Sequence, residues 1–457
     1  MRTRTRNLAC LLAAGLVLGA AGCGGDAGGG GGGKDAASGK NAKVTITVGC
    51  QPPKSNKIER QEWDEDVAAF EKLHPDIDIE SKDAFPCINP ETFQAKLAGG
   101  TMEDVFYVYY TDVKKIIQNR QAADISPYVG TLKNYAHIRP DVMSVFKDGD
   151  KVYGVPRNTY SMGLVYNRKL FSQAGLNPDA PPKTWAEVRE AAKKIAGLGG
   201  GVVGFGEYSA GNTGGWHFTA SLYARGGDVV TPDGTKAAFN SAEGKAVLEN
   251  LKQMRWTDNS MGTKQLHQWE DLMRLMGSGK LGMMIGAPDV VQAVNNDFRG
   301  KYEDYGVAAV PEAKASLAGG DGYMFHPKAT PEKIRAGLLW LEYLKLTPGK
   351  GQFDYERGKR LNRPVGLPYP DFYAPGTPPG DQILADREKF ATVPVEHFTS
   401  YVEASPNIPN KLEPPKAQEL YALLDKPMSA VLTNRDANID QLLAEAASKA
   451  DQVLSKG

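Results

Sequence analysis

The 457-residue chain carries 54 Lys and Arg against 54 Asp and Glu, a formal charge of zero, with 41% apolar residues. This balance excludes the charge footprint of a nucleic-acid binder or of a protein held to an anionic membrane by basic side chains. The length exceeds what one ordinary core accommodates, so two lobes are expected.

The first residues come as a unit. Arg2, Arg4 and Arg6 form a basic region, Leu8 to Leu18 an apolar stretch too short to span a bilayer, and Ala20-Ala21-Gly22-Cys23 a small-residue site ending in cysteine. The arrangement resembles a bacterial lipoprotein signal, with Ala20 where Leu is commonest, and it implies that Cys23 is the lipidated first residue of the mature protein. Removal of residues 1–22 takes three arginines and no acids, lowering the basic count from 54 to 51 and leaving a slightly acidic chain. Residues 23–40, rich in Gly, Ala, Ser and Asp, cannot bury enough apolar area to order themselves and read as a tether. Their GGGGGGKD lacks the Ser or Thr and the preceding strand of a phosphate-binding loop. Cys10 leaves with the signal, so Cys50 and Cys87 remain; in an oxidising compartment the pair is expected to bond, with two free buried thiols as the alternative.

From Val44 the pattern alternates. A strand at 44–49 leads to a helix over 58–73 with Trp63, Val67 and Phe70 on one face; a strand at 77–82 follows, then a helix around 92–98 and a strand at 104–109. Such alternation predicts an α/β lobe with a largely parallel sheet, whose ligands gather at the carboxyl ends of strands. The two strands carrying Cys50 and Cys87 would lie side by side. Asp148-Gly149-Asp150 reads as a hairpin turn rather than a calcium loop, since the downstream glutamate of an EF-hand is missing. Short strands at 152–155 and 162–166 flank an Arg157-Asn158-Thr159-Tyr160 junction; a short helix ends near Gly175, and Thr184 with Glu187 has capping-box spacing for a new helix. Ile439 to Leu454 shows apolar residues at helical spacing, a packing face.

Catalytic signatures are not found. HExxH, GxSxG and CxxC are absent, and the six histidines are scattered singly, so each is read as a surface or packing residue.

The string YGVPRNTYSMGLVYNRKLFSQAGLNPDAPPKTW resembles the family 1 extracellular solute-binding proteins of bacterial ABC importers, the maltose-binding-protein-like group, which share a YGVP strand, a YN-K/R-x-LF turn and a P-P-K-T-W helix start. FEKLHPDIDIE, EDVFYVYY, GKLGMMIGAP, YGVAAVP and GGDGYMFHP extend the resemblance along nearly the whole mature chain, in the family's order. It implies an α/β, two-lobed periplasmic-binding-protein-like fold with a hinge and a central cleft, its first lobe at 41–157 plus 306–350 and its second at 158–305 plus 351–457. It also implies a monomeric, cofactor-free protein outside the cytoplasm, anchored to the outer face of the membrane by its lipid alone, which captures a carbohydrate and delivers it to ABC permease subunits.

Sugars present flat C–H faces that stack on aromatic rings, and rims of hydroxyls that need paired donors and acceptors. The candidate ligand residues follow from this chemistry and from the family's cleft positions. They are Tyr107, Tyr109 and Asp112 at the end of the 104–109 strand; Arg157, Asn158 and Tyr160 at the first crossing; Trp216 after a Gly-rich loop; Asp289 after the GAP turn, where sugar binders of the family carry a stacking Trp; and Asp321 and Tyr323 in GGDGYMF. Another polar solute such as a phosphorylated polyol is the alternative, with Arg157 or Arg363 as its anion partner. An extracellular carbohydrate-active enzyme and a non-transporting adhesive or sensory lipoprotein are the remaining readings.

Overall fold

The computed structural model describes residues 43–455 apart from 84–86, 89, 210 and 212. The signal, Cys23 and the tether lie outside the described residues. No helix among the described residues is long and apolar enough to cross a membrane.

Twelve strands are described in chain order: β1 Val44–Gln51, β2 Ile77–Asp83, β3 Val105–Tyr109, β4 Lys147–Asp148, β5 Lys151–Val152, β6 Gly154–Ser161, β7 Gly163–Asn167, β8 Val203–Phe205, β9 Leu281–Gly286, β10 Tyr305–Ala309, β11 Ser316–Phe325 and β12 Asn410–Leu412. The larger sheet runs β12-β11-β3-β1-β2 with β6 also paired to β11, and a second sheet runs β10-β7-β9-β8. Parallel pairing of β1 with β2, Val44 opposite Ile77, follows from the helical crossover Lys57–Leu73 between them. That helix buries Trp63 and Phe70. Both rings meet Trp340 edge-on, at 5.7 and 5.2 Å. Cys50 and Cys87, after β2, are joined as a disulfide with their Cα atoms 4.7 Å apart.

Each sheet has its own core. Ile46, Val48, Phe106, Val108 and Met324 belong to that of the larger sheet, and Leu164, Phe205, Met283 and Leu424 to one packed on the smaller. One antiparallel ladder passes between them. β6 and β11 pair from Gly154 opposite Met324 to Ser161 opposite Ala318. Val155 and Met324 sit in the first core, while Met162 just after β6 and Leu317 sit in the second. The register shifts between Asp321 and Gly322, a bulge near the middle of the ladder.

The expected junction at Arg157–Tyr160 is therefore continuous strand, because β11 offers its backbone along that whole stretch. The divisions drawn at 157/158 and 305/306 fall inside β6 and β10. Phe353, Phe372 and Tyr373, assigned with 351–457 to the second lobe, pack in the core of the larger sheet. Other local expectations match closely. The hairpin of β4 with β5 turns at Gly149 and Asp150. Thr184 Oγ1 accepts the Glu187 N–H at 3.2 Å while Glu187 accepts the Thr184 N–H at 3.0 Å, so both halves of the capping box form. The last helix is Ile439–Leu454.

Candidate functional site

The carboxyl end of β3 supplies one wall. Alternation along the strand puts Tyr107 and Tyr109 on one face, and antiparallel β11 sets Tyr323 opposite Tyr107 and Asp321 opposite Tyr109. Tyr107 meets Tyr109 and Tyr323 edge-on at 5.5 and 5.8 Å. Tyr107 is packed at 8% exposure, whereas Tyr109 is 42% exposed. Asp112 lies half-buried in the first turn of the following helix, Tyr110–Gln118, and burial raises its carboxyl pKa.

At the bulge, Arg157 turns over the Tyr107 ring, 5.5 Å from its centroid. Its guanidinium grips both carboxylate oxygens of Asp321, the Nη2 bond being 2.5 Å. Asn158, opposite Asp321, borders a cavity of about 290 Å³ with Gln292, Gln352, Arg363 and Tyr369. Arg363 is bound by Glu59 at 2.5 Å, with Glu62 at 3.7 Å. The two arginines expected to meet an anion are thus each held by carboxylates of this chain. Lys345 nearby is pushed down to about 7 by burial and then by Arg157.

Tyr160 and Trp216 form a second wall, their rings edge-on at 6.5 Å. Gly319 makes room for the first, since a Cβ there would stand 2.4 Å from the Tyr160 hydroxyl. Gly215 does the same for the second: a Cβ would stand 2.2 Å from the Tyr421 carbonyl, so helix Thr213–Ala224 packs directly on helix Ala417–Thr433. Beneath Trp216 the fully buried His217 bonds Glu207 through Nδ1 at 2.5 Å. Asp289 opens helix Asp289–Phe298 with its side chain exposed.

Sequence reasoning missed Glu413, between β12 and helix Ala417–Thr433, half-buried and accepting the Tyr421 hydroxyl at 3.1 Å. Burial pushes its carboxyl up to about 7, the Tyr421 bond opposes this, and the Asp112 carboxylate adds to it. Asp112 bears on Tyr109 and Glu413, while Glu413 and Asp289 both raise the Tyr160 hydroxyl beyond what burial does. Tyr369, also missed, donates to Gln292 at 3.3 Å. Only three-dimensional pairing marks either residue. A wider groove of about 1280 Å³, with Tyr166, Phe171, Pro182 and His397 in its wall, contains none of the expected residues. Among the described residues, no group of three or more His, Cys, Asp or Glu could hold a metal ion.

The profile described as bacterial extracellular solute-binding protein matches residues 54–350. A binding protein of Brucella abortus (strain 2308) is 25% identical over 287 residues, 62% of this chain and 67% of its own. An sn-glycerol-3-phosphate-binding periplasmic protein of Rhizobium meliloti (strain 1021) is 41% identical over only 75 residues, 16% of this chain and 17% of its own. Among solved structures, the cyclic alpha-maltosyl-1,6-maltose binding protein from Arthrobacter globiformis superposes with a TM-score of 0.68 at 20% identity, covering 91% of this chain and 100% of its own, a likeness of fold. Two sheets with separate cores, a shared two-stranded ladder and a profile match over well over half the chain agree: this protein belongs to the bacterial extracellular solute-binding proteins, the two-lobed, maltose-binding-protein-like family 1 of ABC importers.

Proposed function

We propose that the protein is a lipid-anchored solute receptor that captures a carbohydrate between its lobes and hands it to an ABC permease, without chemistry of its own. The observation that carries the carbohydrate reading is the composition of the two walls. An exposed Tyr109 ring and the Tyr160–Trp216 pair offer apolar faces, and Asp112, Asp289, Asn158 and Glu413 offer hydroxyl partners, so both halves of a sugar's surface are met. In this reading the lobes divide within the β6/β11 ladder and between β10 and β11, Cys23 carries the lipid, and the protein acts as a monomer.

The phosphorylated-polyol reading has the short match to the Rhizobium protein behind it. Against it stand Arg157 and Arg363, whose charges Asp321 and Glu59 already meet.

A glycan panel in a thermal-shift assay tests the proposal, since a ligand at a hundredfold excess over its Kd stabilises by about 2.7 kcal/mol. With the best ligand, Trp216→Ala should lose about 2 kcal/mol of binding or more, as truncated hot-spot aromatics do. Tyr109→Ala should lose affinity with an unchanged melting temperature, because 42% of its surface is already exposed. Full affinity in both variants would refute the two walls, and a panel answered only by phosphates would select the other solute.

A further inference from the structure

Trp216 stands in a helical turn that is weak by itself. Its helix, Thr213–Ala224, opens with Gly214 and Gly215, and a glycine inside a helix is less favourable than alanine. Both glycines serve close packing: a Cβ at Gly214 would stand 2.8 Å from Asp425 Oδ1, and one at Gly215 2.2 Å from the Tyr421 carbonyl. The turn is therefore fixed from outside. Asp425 Oδ1 accepts the Gly215 N–H at 2.8 Å, and Glu207 Oε1 bonds His217 Nδ1 at 2.5 Å.

Glu207 is itself anchored. It follows β8, and the Gly206 N–H before it donates to the Met283 carbonyl of β9 at 2.9 Å. Its Oε1 also accepts the Tyr208 N–H at 2.9 Å. Because β9 leads through Gly286 to Asp289, the pair ties the Trp216 wall to the sheet that delivers Asp289. Trp216 packs against the cores on both faces of that sheet, one holding Leu164 and Met283 and the other Val165 and Met284.

Stability alone does not account for the pair. Glu207 and His217 are 2% and 0% exposed, no Lys or Arg among the described residues pairs with Glu207, and His217 Nε2 is buried without a partner. A sealed polar pair with an orphaned nitrogen adds little or nothing over two apolar side chains of similar volume. What apolar side chains lack is direction. The Nδ1 bond fixes the imidazole against the Tyr208 and Trp216 rings, at 4.3 and 5.2 Å, in the turn from which Trp216 meets Tyr160 edge-on.

We infer that Glu207 and His217 are positioning residues, which hold the Trp216 ring at the angle to Tyr160 at which the two receive a sugar. This rests on the carbohydrate reading above and adds two residues too deeply buried to touch the sugar themselves.

The test combines calorimetry, against a panel of neutral mono- to tetrasaccharides, with fluorine NMR of the whole folded protein carrying fluorotryptophan at its 6 tryptophans. Trp216→Phe identifies the Trp216 resonance. Glu207→Leu with His217→Phe, an apolar pair that keeps a ring beside Tyr208, should leave the melting temperature within a few degrees. It should weaken the tightest glycan about tenfold, the scale of ordering one side chain on binding. Glu207→Leu should broaden or split the Trp216 resonance while those of the other tryptophans hold. Glu207→Gln, whose Oε1 keeps both accepted bonds, should restore resonance and affinity. A double variant with wild-type affinity, or one that loses affinity only with a collapsed melting temperature, overturns the inference; so does a Trp216 resonance unmoved by Glu207→Leu, or a Glu207→Gln as weak as Glu207→Leu. In each of these cases carbohydrate capture still stands. A wild-type protein that binds nothing in the panel removes the carbohydrate reading itself, and this inference with it.

Discussion

Replacing Arg357 by methionine should destabilise the protein by about 3–5 kcal/mol at pH 7, the cost of leaving one member of a buried ion pair alone. Arg357 is 8% exposed and Asp66 5%. The guanidinium donates to both Asp66 oxygens, at 2.8 and 3.0 Å, and to the Gly351 carbonyl at 3.1 Å. Asp354 and Glu65 stand at 3.6 and 3.9 Å. One cation therefore ties helix Lys57–Leu73 to the segment after Gly351 and neutralises several acids. Burial raises the carboxyl pKa of Asp66, with Arg357 opposing, and it raises that of Glu62, with Arg363 and Arg357 opposing. The sign follows. A carboxyl whose pKa is higher folded than unfolded adds stability below the unfolded value, and loses it as the pH rises through the folded value. Without Arg357 the upward shift grows, so the deficit of the variant should shrink as the pH falls from 7 toward 4. Urea unfolding followed by tryptophan fluorescence at pH 4, 5.5 and 7 measures it. The double variant Asp66→Leu, Arg357→Met should recover most of the loss, since an apolar pair of similar volume replaces a buried ion pair at little cost. A deficit equal at pH 4 and 7, or a double variant as unstable as the two single losses summed, would refute the reasoning.

Removing the Cys50–Cys87 link with paired alanines should cost about 4 kcal/mol for a separation of 37 residues, read as a shift in urea midpoint between the disulfide-bonded protein and the variant. Thr184→Ala should cost about 1 kcal/mol and speed hydrogen exchange at the amino end of helix Trp185–Ala196, leaving other helices unchanged. Gly215→Ala forces a Cβ to within 2.2 Å of the Tyr421 carbonyl. It should therefore lower the melting temperature and, by moving Trp216, weaken ligand binding in the same variant, with an overpacking cost of about 1–3 kcal/mol.

Local grammar was legible in the sequence where local physics decides. The amphipathic helix bearing Trp63 and Phe70, the Thr184–Glu187 box and the final helix at 439–454 each depend on residues within a turn or two, and each forms where its pattern predicts. The parallel pairing of β1 with β2 was legible too, because a helix of the right length joins them. What failed is what depends on distant partners. Arg157–Tyr160 reads as a junction of mixed polar residues, yet it is strand, since β11, more than 150 residues later, carries Gly319 and Gly320 where the Tyr160 ring and the Asn158 carbonyl need room. Phe372 and Tyr373 follow a run of prolines with no periodicity, and only the core they enter shows which sheet they serve.

The same distinction governs the site. Aromatic and acidic residues after strands and Gly-rich turns are visible as types, so Tyr107, Tyr109, Tyr160, Trp216, Asp112 and Asp289 are candidates by chemistry and position alone. Charge balance is not a property of type. Arg157 and Arg363 look like anion receptors until their partners are known, and those partners lie 164 and 304 residues away in sequence. Glu413 looks like one more surface acid until Tyr421 is seen to donate to it. A cation already held by a carboxylate attracts a phosphate weakly. The pairing of charges, rather than their number, is therefore what three-dimensional structure adds to a list of candidate residues.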